Sequence, residues 1–261
     1  MLMKQARALY RKLGRRMAQS SLNRLQDTVS VSHAKIGTGY GGWFVPSGLL
    51  SKASLCYGVG AGEDISFEIE LINRYGCEVY CFDPTPRAQQ HVELLQTNTD
   101  HGLPTPINNE AGVHYTTDAA CLSHLHFYPF GLWSQDRTMR FYSPKDQGHV
   151  SHSIVNLQRT DSYFEADCRT IKTVMQIFRH TTLSLLKLDV EGAEYEVLTS
   201  LLDGNIRPTI LCVEFDEGYQ PIDDGYVSRI LNQVQRIRQA GYRLTMVDGW
   251  NATFVYREAL T

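Results

Sequence analysis

The sequence predicts an α/β protein with a doubly wound, mostly parallel sheet. Residues 53–86 predict a strand, a glycine-rich turn, a helix and a second strand, because an apolar run and three glycines precede a helical spacing of apolar residues. Residues 183–198 predict a buried strand that ends in charged residues and leads into a helix. Residues 242–256 predict an antiparallel pair of strands. Such alternation of strands and helices is typical of a layered α/β domain.

The composition is that of an ordinary soluble protein. The chain has 261 residues, of which 43% are hydrophobic and 20% charged, and its net charge is −3. This balance does not indicate nucleic-acid binding, and no apolar run is long enough for a membrane span or a signal-peptide core. The six cysteines form no CxxC pair, and Cys56, Cys81 and Cys212 fall in predicted strands. We therefore expect a cytoplasmic protein and leave its oligomeric state open.

The N-terminal segment differs from the rest of the chain. Residues 1–26 contain no acidic residue, and their apolar side chains follow one helical stripe. The basic residues are Lys4, Arg7, Arg11, Lys12, Arg15, Arg16 and Arg24. A basic amphipathic helix of this kind either packs on the domain or a partner subunit with its basic face in water, or lies on an anionic membrane surface.

A glycine-rich loop at residues 37–42 follows the basic segment. It precedes the apolar run Trp43–Phe44–Val45, and it is either a loop that closes over a ligand or an ordinary linker. We place a boundary here, so that residues 1–45 comprise the basic helix and this loop, and residues 46–261 form the main domain.

The first predicted strand, Leu55–Tyr57, leads into a turn that contains Gly58, Gly60 and Gly62. The helix that follows ends at Gly76, a residue type that often terminates helices. The second strand, 78–82, ends at Asp83 and is followed by Pro84. In a doubly wound sheet, ligands bind at the carboxyl ends of such strands.

The residues that follow the glycine turn predict which nucleotide-containing cofactor binds there. A dinucleotide fingerprint requires a third glycine where this chain has Glu63, and Asp64 comes next. Two carboxylates at a helix N-terminus would repel a pyrophosphate, whereas they are compatible with S-adenosylmethionine, which carries a sulfonium and an ammonium group. Asp83 then accepts hydrogen bonds from the ribose hydroxyls. The alternative, that Glu63 and Asp64 cap the helix, is compatible with this hypothesis.

The middle of the chain predicts a helix at 86–98, an irregular stretch at 99–121 and a third strand at 124–130. Gly131 at the tip of this strand suits a contact with adenine, although core packing explains it equally well. Residues 139–142 predict the return strand of a hairpin inserted after the third strand. His152 lies in a polar loop and is a candidate general base, because histidine titrates near neutral pH; solvated loop histidines are also common.

The second characteristic stretch contains a lysine within a buried strand, at 183–188. Because a buried lysine is costly unless paired, Lys187 predicts an ionic network with Asp189 and Glu191. The alternative is a set of structural salt bridges. A fifth strand at 209–213 then ends at Glu214, and a helix at 224–240 precedes the C-terminal pair of strands. The complete sheet is predicted to have seven strands.

The stretches YGVGAGEDISFE…FDPTP and LLKLDVEGAEYEVL resemble the FkbM family of S-adenosylmethionine-dependent methyltransferases. The resemblance covers about residues 53–256, and the run K-x-D-x-E-G-A-E is its specific part. It implies a Rossmann-like class I methyltransferase fold, whose sheet usually ends in an antiparallel hairpin, and O-methylation of hydroxyl groups on sugars, polyketides and other natural products. It also implies that Lys187, Asp189 and Glu191 face the reaction centre.

The predicted site has a cofactor part and a catalytic part. The predicted cofactor-binding residues are Gly58, Val59, Gly60, Ala61, Gly62, Asp64, Asp83, Pro84, Gly131 and Asp189. Because a sugar hydroxyl is a poor nucleophile, it needs a base or a metal. Either a carboxylate or His152 takes the proton, with Asp189 and Glu191 the main catalytic candidates beside Lys187, or Asp189 and Glu214 hold a divalent cation such as Mg²⁺.

Two other functions remain open at this point. The first is a nicotinamide-dependent oxidoreductase, which Glu63, Asp64 and the terminal hairpin disfavour. The second is a non-catalytic S-adenosylmethionine-binding protein. The expected partner of the main hypothesis is a sugar or other small-molecule hydroxyl acceptor.

Overall fold

A seven-stranded sheet forms the centre of the computed structural model, which describes residues 16, 18–107, 112–143, 154 and 160–260. The strands are β1 (His33–Ile36), β2 (Trp43–Pro46), β3 (Leu55–Val59), β4 (Glu78–Phe82), β5 (Leu125–Tyr128), β6 (Gly131–Leu132), β7 (Arg137–Tyr142), β8 (Tyr163–Arg169), β9 (Leu185–Leu188), β10 (Ile210–Glu214), β11 (Tyr242–Asp248) and β12 (Asn251–Tyr256). The helices are α1 (Ser66–Tyr75), α2 (Pro86–Asp100), α3 (Ala119–Leu122), α4 (Ile171–Ile177), α5 (Glu194–Asp203) and α6 (Tyr226–Gln239).

The strand order in the main sheet is β11-β12-β10-β9-β3-β4-β5. Strands β5, β4, β3, β9 and β10 are parallel to one another, and β12 is antiparallel to both β10 and β11. The chain builds the sheet outward from β3 on one side and from β9 on the other. The predicted α/β fold, with a mostly parallel seven-stranded sheet and an antiparallel C-terminal hairpin, is therefore confirmed.

The sheet separates two hydrophobic cores because successive strand side chains point to opposite faces. In β3, Tyr57 and Val59 join the core that contains the apolar sides of α4, α5 and α6. Cys56 joins the other core, with apolar residues of α1 and α2. All six cysteines are buried and reduced, and the three predicted in strands lie in β3, β4 and β10.

Local signals account for the ends of several helices. Gly76 terminates α1 with a left-handed backbone and donates its amide to the carbonyl of Ile72. Thr85 caps α2, and Pro86 occupies the first helical position, where a missing amide hydrogen costs nothing. Within the stretch predicted to be irregular, Asp118 caps the short helix α3 by accepting from the amide of Cys121.

Residues 139–142 do lie in a strand, β7, but the prediction that they form the return strand of a hairpin is wrong. Strand β7 pairs in antiparallel fashion with β8, which follows it and was not predicted, and β8 also pairs with β6 in a separate three-stranded sheet. The apolar residues of β8, Phe164, Ala166 and Cys168, alternate with polar ones, a strand signal that was overlooked. Phe164 stacks on Phe141 of β7, and Glu165 on the other face pairs with Arg140.

The glycine-rich loop, residues 37–42, is the turn of the β1–β2 hairpin and is fastened to α1. The amide of Gly37 donates to Glu70 at 2.6 Å, and the amide of Thr38 donates to the Ser66 hydroxyl at 3.0 Å. The Thr38 hydroxyl donates to Asp64 at 2.7 Å. The loop is therefore not a linker. The domain boundary after residue 45 stays a prediction.

The described part of the N-terminal segment packs on the domain. Residues 18–24 are helical, and Ala18 and Leu22 are buried in the core beside α6 and β11. Asp27 accepts hydrogen bonds from Arg238 and from the amide of Leu244. The basic residues 4–15 lie outside the described part of the chain, so membrane contact stays a prediction. Within the described ranges, no helix has the length and apolar character that a bilayer crossing requires.

Candidate functional site

A cavity of about 570 Å³ opens at the carboxyl ends of the parallel strands. The turn after β3, the Asp83–Thr85 segment after β4 and the segments after β9 and β10 form its inner wall. The glycine-rich loop 37–42 and the β11–β12 turn lie on its outer wall. Because these six chain segments converge here, side chains distant in sequence face the same space.

The glycine turn (residues 58–62) begins in the last two residues of β3 and packs against the backbone of Asp189. Gly60 has a φ of +85°, and a Cβ built on it would lie 1.7 Å from the carbonyl oxygen of Asp189. Gly62 has a φ of +53°, and a Cβ built on it would have no atom within 4 Å. Gly60 is therefore required by a close backbone neighbour, whereas Gly62 faces open space.

Asp83 holds the glycine turn. Its Oδ2 accepts from the amides of Ala61 and Gly62, both at 2.9 Å. Its Oδ1 accepts from the amide of Thr85 at 2.8 Å and from the Thr85 hydroxyl at 2.6 Å. The side chain is 5% exposed, and a carboxylate has about four acceptor positions, all of which the chain itself fills. Ribose contact by Asp83 stays a prediction.

The two carboxylates after the turn both have partners. Asp64 accepts from the Ser66 amide at 2.9 Å and from the Thr38 hydroxyl at 2.7 Å, so it connects the first residue of α1 to the glycine-rich loop. Glu63 pairs with Arg87 of α2 at 2.6 Å. The N-cap position of α1 is Ile65, which makes no side-chain capping hydrogen bond, so the interpretation of Glu63 and Asp64 as helix caps is not confirmed.

Lys187 lies directly beneath the glycine turn. Its Nζ is 3.0 Å from the Gly60 carbonyl oxygen, 3.6 Å from Asp189 Oδ2 and 3.5 Å from Glu68 Oε1. Burial opposes the charged ammonium, but the attraction of Glu68 and Asp189 outweighs it and raises the pKa of Lys187. Lys187 is therefore a fixed cation rather than a proton acceptor. The predicted ion pair with Asp189 is present, and Glu68 is an unpredicted member.

Carboxyl groups gather where β9 and β10 end. Burial, followed by the charge of Asp189 and a hydrogen bond with its side chain, raises the pKa of Glu214 well above its usual range. Burial and the charge of Glu191 likewise raise the pKa of Asp216, whose Oδ2 accepts from the Gly192 amide. Glu191 has a φ of +47°, an unusual conformation for a residue with a side chain and one that recurs at functional sites.

Glu194 at the start of α5 should make stability depend on pH. Burial raises its pKa to about 8, with a further contribution from the charge of Glu217 and opposition from backbone amides. The folded protein thus holds a proton that the unfolded chain releases near pH 4.5. The contribution of Glu194 to the free energy of unfolding is complete below pH 4.5 and is lost as the pH rises through about 8.

Glu194→Gln removes this titration, so its melting temperature should increasingly exceed that of the unmodified protein as the pH is raised from 5 to 9. The expected final difference is roughly 4 °C or more. Glu196→Gln changes an exposed position of the same helix and should give a difference that is independent of pH. Thermal unfolding followed by circular dichroism measures both, and equal pH profiles for the two variants would contradict the assignment.

The structure brings most predicted site residues to the cavity. Those that line it are Val59, Gly60, Ala61, Gly62, Asp64, Asp83, Pro84, Gly131, Lys187, Asp189, Glu191 and Glu214. Gly58 lies one position deeper in β3, where Glu68 fills the space beside its Cα. His152 lies outside the described residues. Glu68 and the lining residue Tyr40 were not predicted.

The comparison with known families identifies the chain. A family model described as the methyltransferase FkbM domain matches residues 58–244, which is well over half of the sequence. The chain belongs to the FkbM methyltransferase family. The matched region begins in the glycine turn and ends in β11, so it contains the segments after β3, β4, β9 and β10 that form the inner wall of the cavity.

Two solved structures resemble this FkbM-family chain. One is methyltransferase FkbM from Methylobacillus flagellatus KT, with 17% identity, a TM-score of 0.44, and coverage of 80% of this chain and 46% of that one. The other is an rRNA methylase from Streptococcus thermophilus, with 11% identity, a TM-score of 0.36, and coverage of 79% and 87%. The chain thus spans less than half the length of the Methylobacillus protein. No curated protein sequence matches it.

Asp189 and Glu214, the pair predicted as a cation site, are hydrogen-bonded to each other in this FkbM-family structure. Within the described part of the chain, no group of three or more histidine, cysteine, aspartate or glutamate side chains is placed to hold a metal ion. A divalent cation at this pair therefore stays a prediction of the sequence alone.

Proposed function

We propose that this protein is an S-adenosylmethionine-dependent O-methyltransferase whose acceptor is a hydroxyl group of a sugar, a glycan or a natural product. The main observation in favour is that one cavity is lined both by the glycine turn and by the Asp189 and Glu191 carboxylates. A cofactor held at the turn then lies beside groups that can accept a proton. Family membership supports the methyltransferase reaction.

The turn suits a cofactor without phosphates. Helix N-termini and glycine turns bind pyrophosphate through free backbone amides, but the amides of Ala61 and Gly62 donate to Asp83. The open space at Gly62 gives a ligand access to the backbone. The nearby carboxylate of Asp64 favours the ammonium and sulfonium groups of S-adenosylmethionine. The same contacts disfavour a nicotinamide dinucleotide.

The sheet supports the same proposal. Strand order reverses between β3 and β9, and open α/β sheets bind their ligands beside such a reversal. The cavity lies at the ends of these two strands. We therefore include in the proposal a doubly wound, class I methyltransferase arrangement.

The carboxylates are proposed to act on the acceptor hydroxyl. When bound, S-adenosylmethionine supplies an electrophilic methyl group. Asp189 lies between the Lys187 ammonium and the hydrogen-bonded Glu214 carboxyl, so its carboxylate is held in one orientation. Either Asp189 or Glu191 then accepts the hydroxyl proton at a carboxylate oxygen. Lys187 orients Asp189 and keeps its own proton.

The outer part of the cavity suits a hydroxyl-rich acceptor. Asp248 at the end of β11 lines it, and carboxylate oxygens accept hydrogen bonds from hydroxyl groups. Tyr40 and Tyr219 are exposed aromatic residues of the same wall. Each combines an apolar ring with a polar hydroxyl, a combination frequent in recognition sites.

Calorimetric titration with S-adenosylhomocysteine, with NADH and NADP⁺ as controls, tests the cofactor. Saturable binding of S-adenosylhomocysteine and no binding of either nicotinamide nucleotide is the expected result. It would justify a screen for labelled-methyl transfer to deoxysugars and oligosaccharides. Binding of a nicotinamide nucleotide alone would overturn the proposal. Cofactor binding without transfer to any acceptor would favour a non-catalytic S-adenosylmethionine-binding protein.

Glu191→Gln should separate catalysis from cofactor binding. Loss of a general base typically lowers a rate by about 10²- to 10⁴-fold, so we expect a fall of at least roughly 100-fold in kcat for methyl transfer. The Kd for S-adenosylhomocysteine should change by less than about threefold, because the side chain keeps its shape. Glu93→Gln on the exposed side of α2 is the control. Unchanged turnover in Glu191→Gln would remove Glu191 from the mechanism.

A further inference from the structure

Glu68 is a buried charge that the proposed mechanism does not use. It lies in the first turn of α1 and is completely buried, and neither carboxylate oxygen has a hydrogen-bond partner among the described residues. Burial raises the pKa of Glu68, while the charge of Lys187 lowers it. A buried carboxylate is costly without an opposite charge, and the nearby cation is Lys187, 3.5 Å away.

Gly58 provides the room for this carboxylate. A Cβ built on Gly58 would lie 2.5 Å from Glu68 Oε1 and 3.2 Å from its Cγ. Gly58 is not among the residues with positive φ, so the backbone conformation does not call for glycine. The glycine is instead explained by the side chain of α1 that lies beside it.

Lys187 connects Glu68 to both parts of the site. The same ammonium contacts the Gly60 carbonyl in the glycine turn and the Asp189 carboxylate at the end of β9. We propose that Glu68 is a positioning residue of the cofactor site: as the buried counterion of Lys187, it holds that ammonium between Gly60 and Asp189, in the space that Gly58 leaves open. This inference rests on the proposed binding of S-adenosylmethionine.

Glu68→Gln tests the charge because it preserves the shape of the side chain. We expect the Kd for S-adenosylhomocysteine to rise at least roughly tenfold, since Lys187 loses a buried counterion. Glu93→Gln, an altered carboxylate on the exposed side of α2, should change this Kd by less than about threefold. Glu68→Gln with unchanged affinity would overturn the proposal.

Moving the charge provides a rescue that a merely structural role would not give. In Gly58→Asp/Glu68→Ala, the new carboxylate points from β3 into the space that Glu68 occupied. Gly58→Asn/Glu68→Ala has the same shape without the charge. The aspartate variant should bind S-adenosylhomocysteine within about threefold of the unmodified protein, and the asparagine variant at least roughly tenfold more weakly.

The outcomes of the rescue experiment distinguish the role of Glu68 from the proposed function. Equal affinities of the two double variants, or failure of the aspartate variant to fold as judged by circular dichroism, would overturn the role of Glu68. If Glu68→Gln itself does not fold, the comparison of the two double variants alone decides whether Glu68 has this role. Failure of the unmodified protein to bind S-adenosylhomocysteine would instead contradict the proposed function.

Discussion

Gly60→Ala is expected to abolish S-adenosylhomocysteine binding and to lower the free energy of unfolding by roughly 2–5 kcal/mol. The added Cβ would lie 1.7 Å from the carbonyl oxygen of Asp189, at a φ of +85° that disfavours any side chain. The obstacle is backbone, so no side chain can rotate to relieve it. The β3–α1 turn and the β9–α5 segment would have to separate, and together they form the inner wall of the cavity.

Gly62→Ala is the matched control for Gly60→Ala, because it lies two residues away and also has a positive φ. A Cβ built on Gly62 would have no atom within 4 Å, so only the backbone penalty of about 1–2 kcal/mol applies. Urea denaturation of both variants measures the difference. Equal losses of stability would show that the close approach between Gly60 and Asp189 does not determine the effect.

Asp83→Ala is expected to weaken S-adenosylhomocysteine binding by at least roughly 100-fold and to destabilise the protein by about 3–5 kcal/mol. The substitution leaves four donors without their acceptor, namely the amides of Ala61, Gly62 and Thr85 and the Thr85 hydroxyl. An unpartnered buried donor costs about 1–3 kcal/mol. The amides of the turn would be free to rotate away from their present positions.

Asp118→Ala is the control for Asp83→Ala, because Asp118 also accepts from a backbone amide, at the start of α3. Loss of this helix cap should cost only about 1 kcal/mol and leave the Kd for S-adenosylhomocysteine unchanged. Calorimetry and urea denaturation test both variants. If Asp83→Ala bound the ligand with nearly unchanged affinity, the glycine turn would be stable without Asp83, and our account of that carboxylate would be wrong.

The elements around the cavity could be predicted because their signals are local. The strand, turn and helix at residues 55–75 follow from a change of apolar period at the glycines, and Gly76 and Pro86 mark helix ends. The β9 strand was found despite Lys187 because apolar residues surround it. In each case, neighbours within one or two turns of chain determine the structure.

The contacts inside the site could not be predicted in the same way. Glu68 appears in the sequence as an ordinary helix residue, and only the pairing of β3 with β9 brings Lys187 to it. Asp83 was correctly placed at a strand end, but its acceptor capacity is filled by the glycine turn, a fact of three-dimensional geometry. Strand β8, by contrast, was overlooked although its apolar and polar residues alternate, so a local signal was present there.

The burial of all six thiols makes the protein convenient for spectroscopy. Thiol-reactive dyes and spin labels need an accessible thiolate, so the native cysteines need not be removed before a probe is attached. Tyr40, at the tip of the loop fastened to α1, is 67% exposed. A fluorophore attached after Tyr40→Cys would report ligand arrival at the cavity as a change in emission, in real time and without a known acceptor.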